Sequence, residues 1–232
     1  MRKYYFTITS ILVLTIGMSS CSNEETKTQN QVAARPSVPI LDTEVRIGNQ
    51  IWMAKNLNVN KYRNGDPIPQ VQQSEAIEWE TLTTGAWCYW RSGNTITDGR
   101  IYGKLYNWYA VNDPRGLAPV GYHIPTEAEW NTLIAFLGGG NVAGGKIKAI
   151  SPLWRTPNTG ATNSSGFTAL PGGFCDSYTG SFYNIGFSAD WWSSTSYDAS
   201  TAFRCVIYNY SSAISEGSMD KRFGISVRCI KD

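Results

Sequence analysis

Pro125-Thr-Glu-Ala-Glu-Trp130 is the stretch on which the fold reading turns. Thr126 stands where a helix cap belongs, with Glu129 three residues on. The hydroxyl can accept from the third helical amide while the carboxylate accepts from the cap amide, a capping box. Trp130, Leu133, Ile134 and Leu137 then follow at i, i+3, i+4 and i+7, one apolar stripe of an amphipathic helix. Gly138-Gly-Gly140 stops it. A weaker helix is expected over 141–150, softened by Gly144 and Gly145.

Outward from this helix the pattern is short strands and turns. Val45–Ile47, Gly48-Asn-Gln50 and Ile51–Met53 read as a hairpin. Ser74-Glu-Ala-Ile-Glu-Trp-Glu80 fits a short helix or a polar loop, and Trp87–Trp90 a strand. Leu105, Trp108 and Tyr109 have helical spacing, although a strand is tolerable there. Phe203, Cys205 and Ile207 alternate with Arg204, Val206 and Tyr208. Phe223, Ile225, Val227 and Cys229 alternate with Gly224, Ser226 and Arg228. Such period-two patterns predict half-buried antiparallel strands, here joined by a polar loop at 210–221. No repeat of solenoid length is present. About two helices, a late run of strands, and first and last strands that bring the termini together define an α+β domain.

The first twenty residues carry a different signal. Arg2 and Lys3 precede an apolar stretch from Tyr4 to Met18, and Ser19 and Ser20 lead into Cys21. The apolar run falls short of the roughly 20 residues needed to span a bilayer, so 1–20 reads as a secretory signal. Met-Ser-Ser-Cys21 resembles a lipobox, with Met18 where Leu is more usual. Acylation of Cys21 would hold the chain at a membrane, since each buried methylene contributes about 0.8 kcal/mol. Ordinary signal cleavage is the alternative. Ser22-Asn-Glu-Glu25 resembles the tag that sends such lipoproteins to the outer face of the outer membrane. Residues 21–43 are mostly polar with almost no apolar clustering, which predicts a flexible tether, leaving 44–232 as the folded domain.

The chain has 20 basic and 18 acidic residues, and removing Arg2 and Lys3 makes them equal. No basic footprint for nucleic acid is left. Besides Cys21 there are Cys88, Cys175, Cys205 and Cys229. Four cysteines in an exported protein predict two disulfides, with three connectivities open. Zinc is the weaker reading, because there is no Cys-x-x-Cys pair and His123 is the one histidine.

Five blocks give a whole-domain resemblance. They are Ile51-Trp-Met-Ala-Lys-Asn-Leu57, Tyr102-Gly-Lys-Leu-Tyr-Asn-Trp-Tyr109, Gly121-Tyr-His-Ile-Pro-Thr-Glu-Ala-Glu-Trp130, Trp191-Trp-Ser-Ser-Thr195 and Gly224-Ile-Ser-Val-Arg-Cys229. In order and spacing they resemble the Fibrobacter succinogenes major paralogous domain, a family of bacterial surface domains whose activity is poorly defined. In that family cysteines at the positions of Cys88 and Cys229 are usual, which implies the pairs Cys88–Cys229 and Cys175–Cys205. Cys205–Cys229 stays open, since both sit on expected neighbouring strands. The Pro125–Trp130 block also resembles the helix start of formylglycine-generating and sulfatase-modifying domains, which implies a C-type lectin-like fold.

Searching for chemistry returns few candidates. His123 has the one side chain that titrates near neutrality but no nucleophile beside it in a recognised arrangement, so a structural role is expected. Glu127 and Glu129 fit the helix dipole and cap better than an acid–base pair. The reactive cysteine pair of formylglycine-generating enzymes has no local counterpart, so no catalysis is expected. Calcium-dependent lectins of the implied fold use a Trp-Asn-Asp block, whereas this chain reads Ala189-Asp-Trp-Trp-Ser-Ser-Thr195. Asp176, Asp190 and Asp198 match no calcium-loop spacing, so neither metal nor cofactor is expected.

Aromatic content is the remaining signal: nine Trp and thirteen Tyr. Trp87, Trp108 and Trp130 are expected in the core. Trp191 and Trp192, adjacent on a strand, should face opposite ways, one buried and Trp192 reaching a surface. Tyr208-Asn-Tyr-Ser-Ser-Ala-Ile-Ser-Glu-Gly217 has the composition of an adaptable recognition loop, and of any exposed connection. The loop between Arg91 and Arg100 is equally ambiguous. Trp192, Arg204, Tyr208 and Tyr210 are therefore the expected ligand contacts. The combined reading is a non-catalytic, lipid-anchored outer-membrane protein facing outward and binding an extracellular glycan in adhesion. Its rivals are an envelope assembly protein that recognises protein, marked by an exposed apolar patch, and a formylglycine-generating-like enzyme, marked by two close free thiols.

Overall fold

Thr126 and Glu129 form the capping box that the sequence predicts. The Glu129 amide donates to Thr126 Oγ1 at 3.3 Å, and the Thr126 amide donates to Glu129 Oε2 at 2.8 Å. Trp130, Leu133, Ile134 and Leu137 are all buried along one face. These positions belong to a computed structural model that describes residues 43–71, 76–92, 95–96 and 99–232. The signal segment, Cys21 and all but the last residue of the expected tether lie outside the described residues.

In chain order, β1 (Glu44–Ile47) and β2 (Gln50–Met53) make the predicted hairpin. Then come α1 (Ala76–Thr81), β3 (Trp87–Cys88), β4 (Arg91–Ser92), β5 (Thr95–Ile96), α2 (Gly99–Tyr102) and β6 (Leu105–Tyr106). They are followed by α3 (Trp108–Val111), β7 (Tyr122–His123), α4 (Glu127–Phe136) and α5 (Gly140–Ile147). The chain closes with β8 (Phe174–Cys175), β9 (Phe182–Tyr183), β10 (Ser188–Ser196), β11 (Thr201–Tyr208), β12 (Ile214–Asp220) and β13 (Ile230–Lys231). This is a mixed α and β architecture of short, mostly antiparallel strands, whose two longest helices are the two expected.

One sheet has the order β1-β2-β13-β7. Ile230 pairs with both Trp52 and His123, so the last strand is clasped between early ones. The second sheet is β10-β11-β12. β12 occupies what the sequence predicts to be a polar loop. It runs antiparallel to β11 from Ile207↔Ile214 to Thr201↔Asp220. Its sequence, Ile-Ser-Glu-Gly-Ser-Met-Asp, is mostly exposed, so no apolar alternation marks it.

Residues 223–229 also depart from expectation. They form no continuous strand but bridge several partners in turn: Gly224 to Cys175, Ile225 to Tyr106 and Ser226 to Trp191. Both alternating sets are buried, Ile225, Val227 and Cys229 on one side and Ser226 and Arg228 on the other. The segment is a threaded core rod rather than a half-exposed strand.

β10 separates two cores. On one side Trp191 meets Trp130 at 6.0 Å and Phe167 at 5.6 Å between ring centroids, with Trp52 4.8 Å from Trp130. On the other, Trp192 packs with Trp87, Tyr106 and Trp108. A third, smaller cluster holds Trp79, Cys88 and Cys175.

The expected disulfides are not formed. Cys205 lies in the first core, Cys229 in the second, and Cys88 and Cys175 in the third, so the pairs Cys88–Cys229, Cys175–Cys205 and Cys205–Cys229 would each have to join separate clusters. All four are buried and pack as small apolar side chains.

Candidate functional site

Two places bring polar groups together at accessible surface. The first is built around Asn56, three residues past the end of β2. Its Oδ1 accepts from Trp191 Nε1 at 2.9 Å and from Arg228 Nε at 3.0 Å. Its Nδ2 donates to the Tyr102 carbonyl at 2.9 Å. Residues from the first, second, fourth and last quoted sequence blocks thus meet at one amide.

Arg228 is 1 % exposed. Its Nη1 donates to the carbonyls of Phe167 at 2.7 Å and Met53 at 3.0 Å, and its guanidinium lies 4.2 Å from the Phe167 ring centroid. Burial pushes its pKa down to about 9, because little around it balances the charge. Beside it opens a cavity of about 360 Å³ lined by Ala54, Lys55, Asn56, Ile101, Thr168, Leu170 and Arg228. Thr168 sits there with φ of 56°, costly for a β-branched residue. Asn163 holds it, accepting from the Thr168 amide at 2.8 Å and donating to its hydroxyl at 3.0 Å.

The second place is an aromatic row. β8 and β9 pair Phe174 with Tyr183, and their rings stand 5.7 Å apart. Phe223 lies 5.9 Å from Phe174, and Tyr178 6.0 Å from Phe223. Tyr183 and Tyr178, at the two ends, are 44 % and 55 % exposed. The Tyr178 hydroxyl donates to Asp220 Oδ2 and accepts from Arg222 Nη2, both at 3.2 Å. Arg222 grips Asp220 with two bonds, Nε to Oδ1 at 2.9 Å and Nη2 to Oδ2 at 2.6 Å. That fork holds the Asp220 carboxyl below its ordinary pKa and raises that of Arg222. Both residues line a cleft of about 350 Å³ with Glu80, Thr83, Tyr109 and Ser200.

The residues expected to contact ligand are not gathered at either place. Trp192 is a correction: it is 0 % exposed, and its Nε1 donates to the Tyr106 carbonyl at 2.8 Å. The two tryptophans do face opposite ways, but both faces of β10 are covered. Arg204 pairs with Asp190, whose carboxyl burial pushes up to about 6 against the pull of Arg204 and Ser188. Tyr208 and Tyr210 stack at 5.1 Å, and Tyr210 is 64 % exposed. Tyr208 ends β11 and Tyr210 sits in the short connection 209–213, because the loop expected over 208–217 is cut short by β12. The loop between Arg91 and Arg100 lies partly outside the described residues.

His123 is held between carboxylates, with Nε2 2.8 Å from Glu129 and Nδ1 2.8 Å from Asp232. Asp176 and Asp198 each accept from amides two and three residues onward, closing their own turns. Asp190, Asp176 and Asp198 therefore serve separate local structures. Among the described residues no group of three or more His, Cys, Asp and Glu is placed to hold a metal ion, and no helix is long and apolar enough to cross a membrane.

Sequence reasoning missed both the aromatic row and the Asn56–Arg228 junction. The row joins one strand pair to Tyr178 in a turn and to Phe223, distant in sequence, and has no local pattern. Arg228 did leave a trace, a cation inside the apolar run Ile-Ser-Val-Arg-Cys-Ile230. Compared with known families, the chain matches the Fibrobacter succinogenes major domain over residues 45–231. No curated protein and no solved structure matches it.

Proposed function

The chain belongs to the Fibrobacter succinogenes major domain family, and from that membership and its surface geometry we propose that it is a non-catalytic recognition domain for an extracellular glycan. The observation that carries this reading is the row Tyr183–Phe174–Phe223–Tyr178 leading to the Asp220–Arg222 pair. Exposed aromatic faces suit the apolar faces of sugar rings. A carboxylate and guanidinium held in a fixed fork suit vicinal hydroxyls, one accepting and one donating.

Supporting a role without covalent chemistry, burial pushes the thiol of Cys229 up to about 12 and that of Cys205 well above its ordinary value. Neither offers a thiolate at neutral pH. In this reading the fold is C-type lectin-like and recognition needs no calcium. Residues 1–20 direct export, and Cys21 is acylated and holds the domain on the outer face of the outer membrane at the end of a polar tether. That address places the aromatic row where extracellular polysaccharide is available.

The test is binding of the full-length protein, in detergent micelles, to a broad polysaccharide and glycan panel, with and without chelator. Saturable binding weakened by Tyr178→Ala or Tyr183→Ala is expected. Binding lost on chelation overturns calcium independence. No binding across the panel overturns the glycan reading in favour of a protein partner in the envelope.

A further inference from the structure

Among the described residues four cations are buried: Lys104, Lys148, Lys221 and Arg228. Three of them are loop staples. Lys148 Nζ donates to the carbonyls of Thr159, Tyr208 and Ser211. Lys104 Nζ donates to the Asn58 carbonyl, Asn58 Oδ1 and the Tyr89 hydroxyl. Lys221 Nζ donates to the carbonyls of Asp198 and Ala199.

Arg228 differs in two ways. Nε and Nη1 are engaged, but Nη2 makes no hydrogen bond to any described residue, and it is not sealed away among the buried unsatisfied atoms. A cavity also lies at its side. No carboxylate among the described residues pairs with it, so neutral dipoles and the Phe167 ring face alone offset a full charge. A buried cation without a counter-charge is costly, and an anion arriving from solvent would relieve that cost.

We propose that this cavity binds a carboxylate-bearing small molecule, the carboxylate taking the free Nη2 edge of Arg228 and the carbon body lying against Ile101 and Leu170. A volume of about 360 Å³ is that of a small-ligand pocket. A guanidinium edge presents in-plane donors that match a carboxylate. The wall offers one buried cation and is otherwise largely apolar, with Ala54, Ile101 and Leu170. A monoanion is neutralised there, whereas a phosphate dianion would leave one charge facing apolar groups. Exposed Lys55 at the rim adds attraction through solvent without entering the buried pair. The carboxylate could come from a free organic acid or from an acidic sugar. This site does not depend on the aromatic row, and no residue of the row lines it.

The experiment measures thermal stability and calorimetric binding of the full-length protein with sodium acetate, sodium glucuronate, the methyl ester of glucuronate, and sodium chloride at matched ionic strength. Saturable binding of a carboxylate with a rise in Tm, and none with the ester or chloride, is expected. Acetate and glucuronate acting alike assigns the site to free organic acids, and glucuronate acting alone assigns it to acidic sugars. An equal rise with the ester or chloride, or no response to either carboxylate, overturns the proposal. Arg228→Gln should abolish the response. Because that change removes a core side chain, Ile101→Glu serves beside it. Ile101 is 44 % exposed at the rim, and a carboxylate there competes from within. Ile101→Glu should raise the ligand-free Tm and weaken carboxylate binding at least about tenfold. Unchanged affinity in that variant also overturns the proposal.

Discussion

Trp191 and Trp192 are neighbours on β10 whose rings lie in different cores, Trp191 against Trp130 and Phe167, Trp192 against Tyr106 and Trp108. Each indole also spends its N–H on a distant segment, Trp191 on Asn56 and Trp192 on the Tyr106 carbonyl. The strand is therefore a shared wall, and its tryptophans join the two halves of the fold. Trp191→Ala and Trp192→Ala should each cost about 3–5 kcal/mol of stability. Urea unfolding checks this. A Trp192→Ala variant as stable as the parent would show that the ring does not fill a core.

The close approach of α5 to the turn before β12 supports a second prediction. A Cβ on Gly144 would stand 2.2 Å from the Ala213 carbonyl oxygen, and one on Gly145 would stand 2.3 Å from that of Gly160. The same contact carries a hydrogen bond from the Gly145 amide to the Ser212 carbonyl at 2.8 Å. Gly144→Ala should destabilise by about 1–3 kcal/mol despite the better helix propensity of alanine. Gly217→Ala, where nothing lies within 4 Å, is the control and should stay within about 0.5 kcal/mol. Chemical denaturation of the pair separates backbone contact from propensity.

These two cases explain what could be read from the sequence. Local signals survived: the Thr126–Glu129 box, the Trp130–Leu137 stripe and the 44–53 hairpin are set by neighbours in the chain. Gly144 and Gly145 read as helix-softening because the backbone they admit is fifteen or more residues away. β12 was hidden because an exposed edge strand needs no apolar alternation. Residues 223–229 read as half-buried because Ser226 and Arg228 are polar, yet both are buried, and Asn56, Met53 and Phe167 supply acceptors for Arg228. The cysteines suggested disulfides by their even count and the expected export, and their separation in the fold decided otherwise. For the candidate site, composition showed that aromatic rings are abundant but not which of them come together, because Phe174, Tyr178, Tyr183 and Phe223 meet only through the fold.

His123 gives the domain a pH dependence of known sign. Partial burial works against its charge, but hydrogen bonds to Glu129 and Asp232 outweigh it and raise its pKa above 6.5. Its stabilisation is therefore full below 6.5 and lost as pH rises through the raised folded value. Burial likewise works against the charge of Glu129, but the Thr126 amide, His123 and the Thr126 hydroxyl outweigh it and hold the pKa below 4.5. That contribution is present above 4.5 and lost as pH falls through the lowered folded value. Tm should fall as pH rises above 6.5, and His123→Gln should flatten that limb. An unchanged slope in the variant would remove His123 from the account.

The aromatic row yields the last prediction, and it separates stacking from the polar fork. Tyr183 makes its ring contact at the far end of the row, whereas Tyr178 also bonds Asp220 and Arg222. Tyr183→Ala should weaken polysaccharide binding by roughly 2- to 10-fold, the range of one aromatic contact. Tyr178→Phe keeps the ring and removes the hydroxyl, so its effect should be smaller than that of Tyr178→Ala. Asp220→Asn leaves a neutral partner for Arg222, which should shift the selectivity among sugars more than it lowers stability, because both side chains are partly exposed. Isothermal titration of the four substitutions against the same polysaccharide decides the matter. Equal losses from Tyr178→Phe and Tyr178→Ala would assign the energy to the hydroxyl and the Asp220–Arg222 fork rather than to stacking.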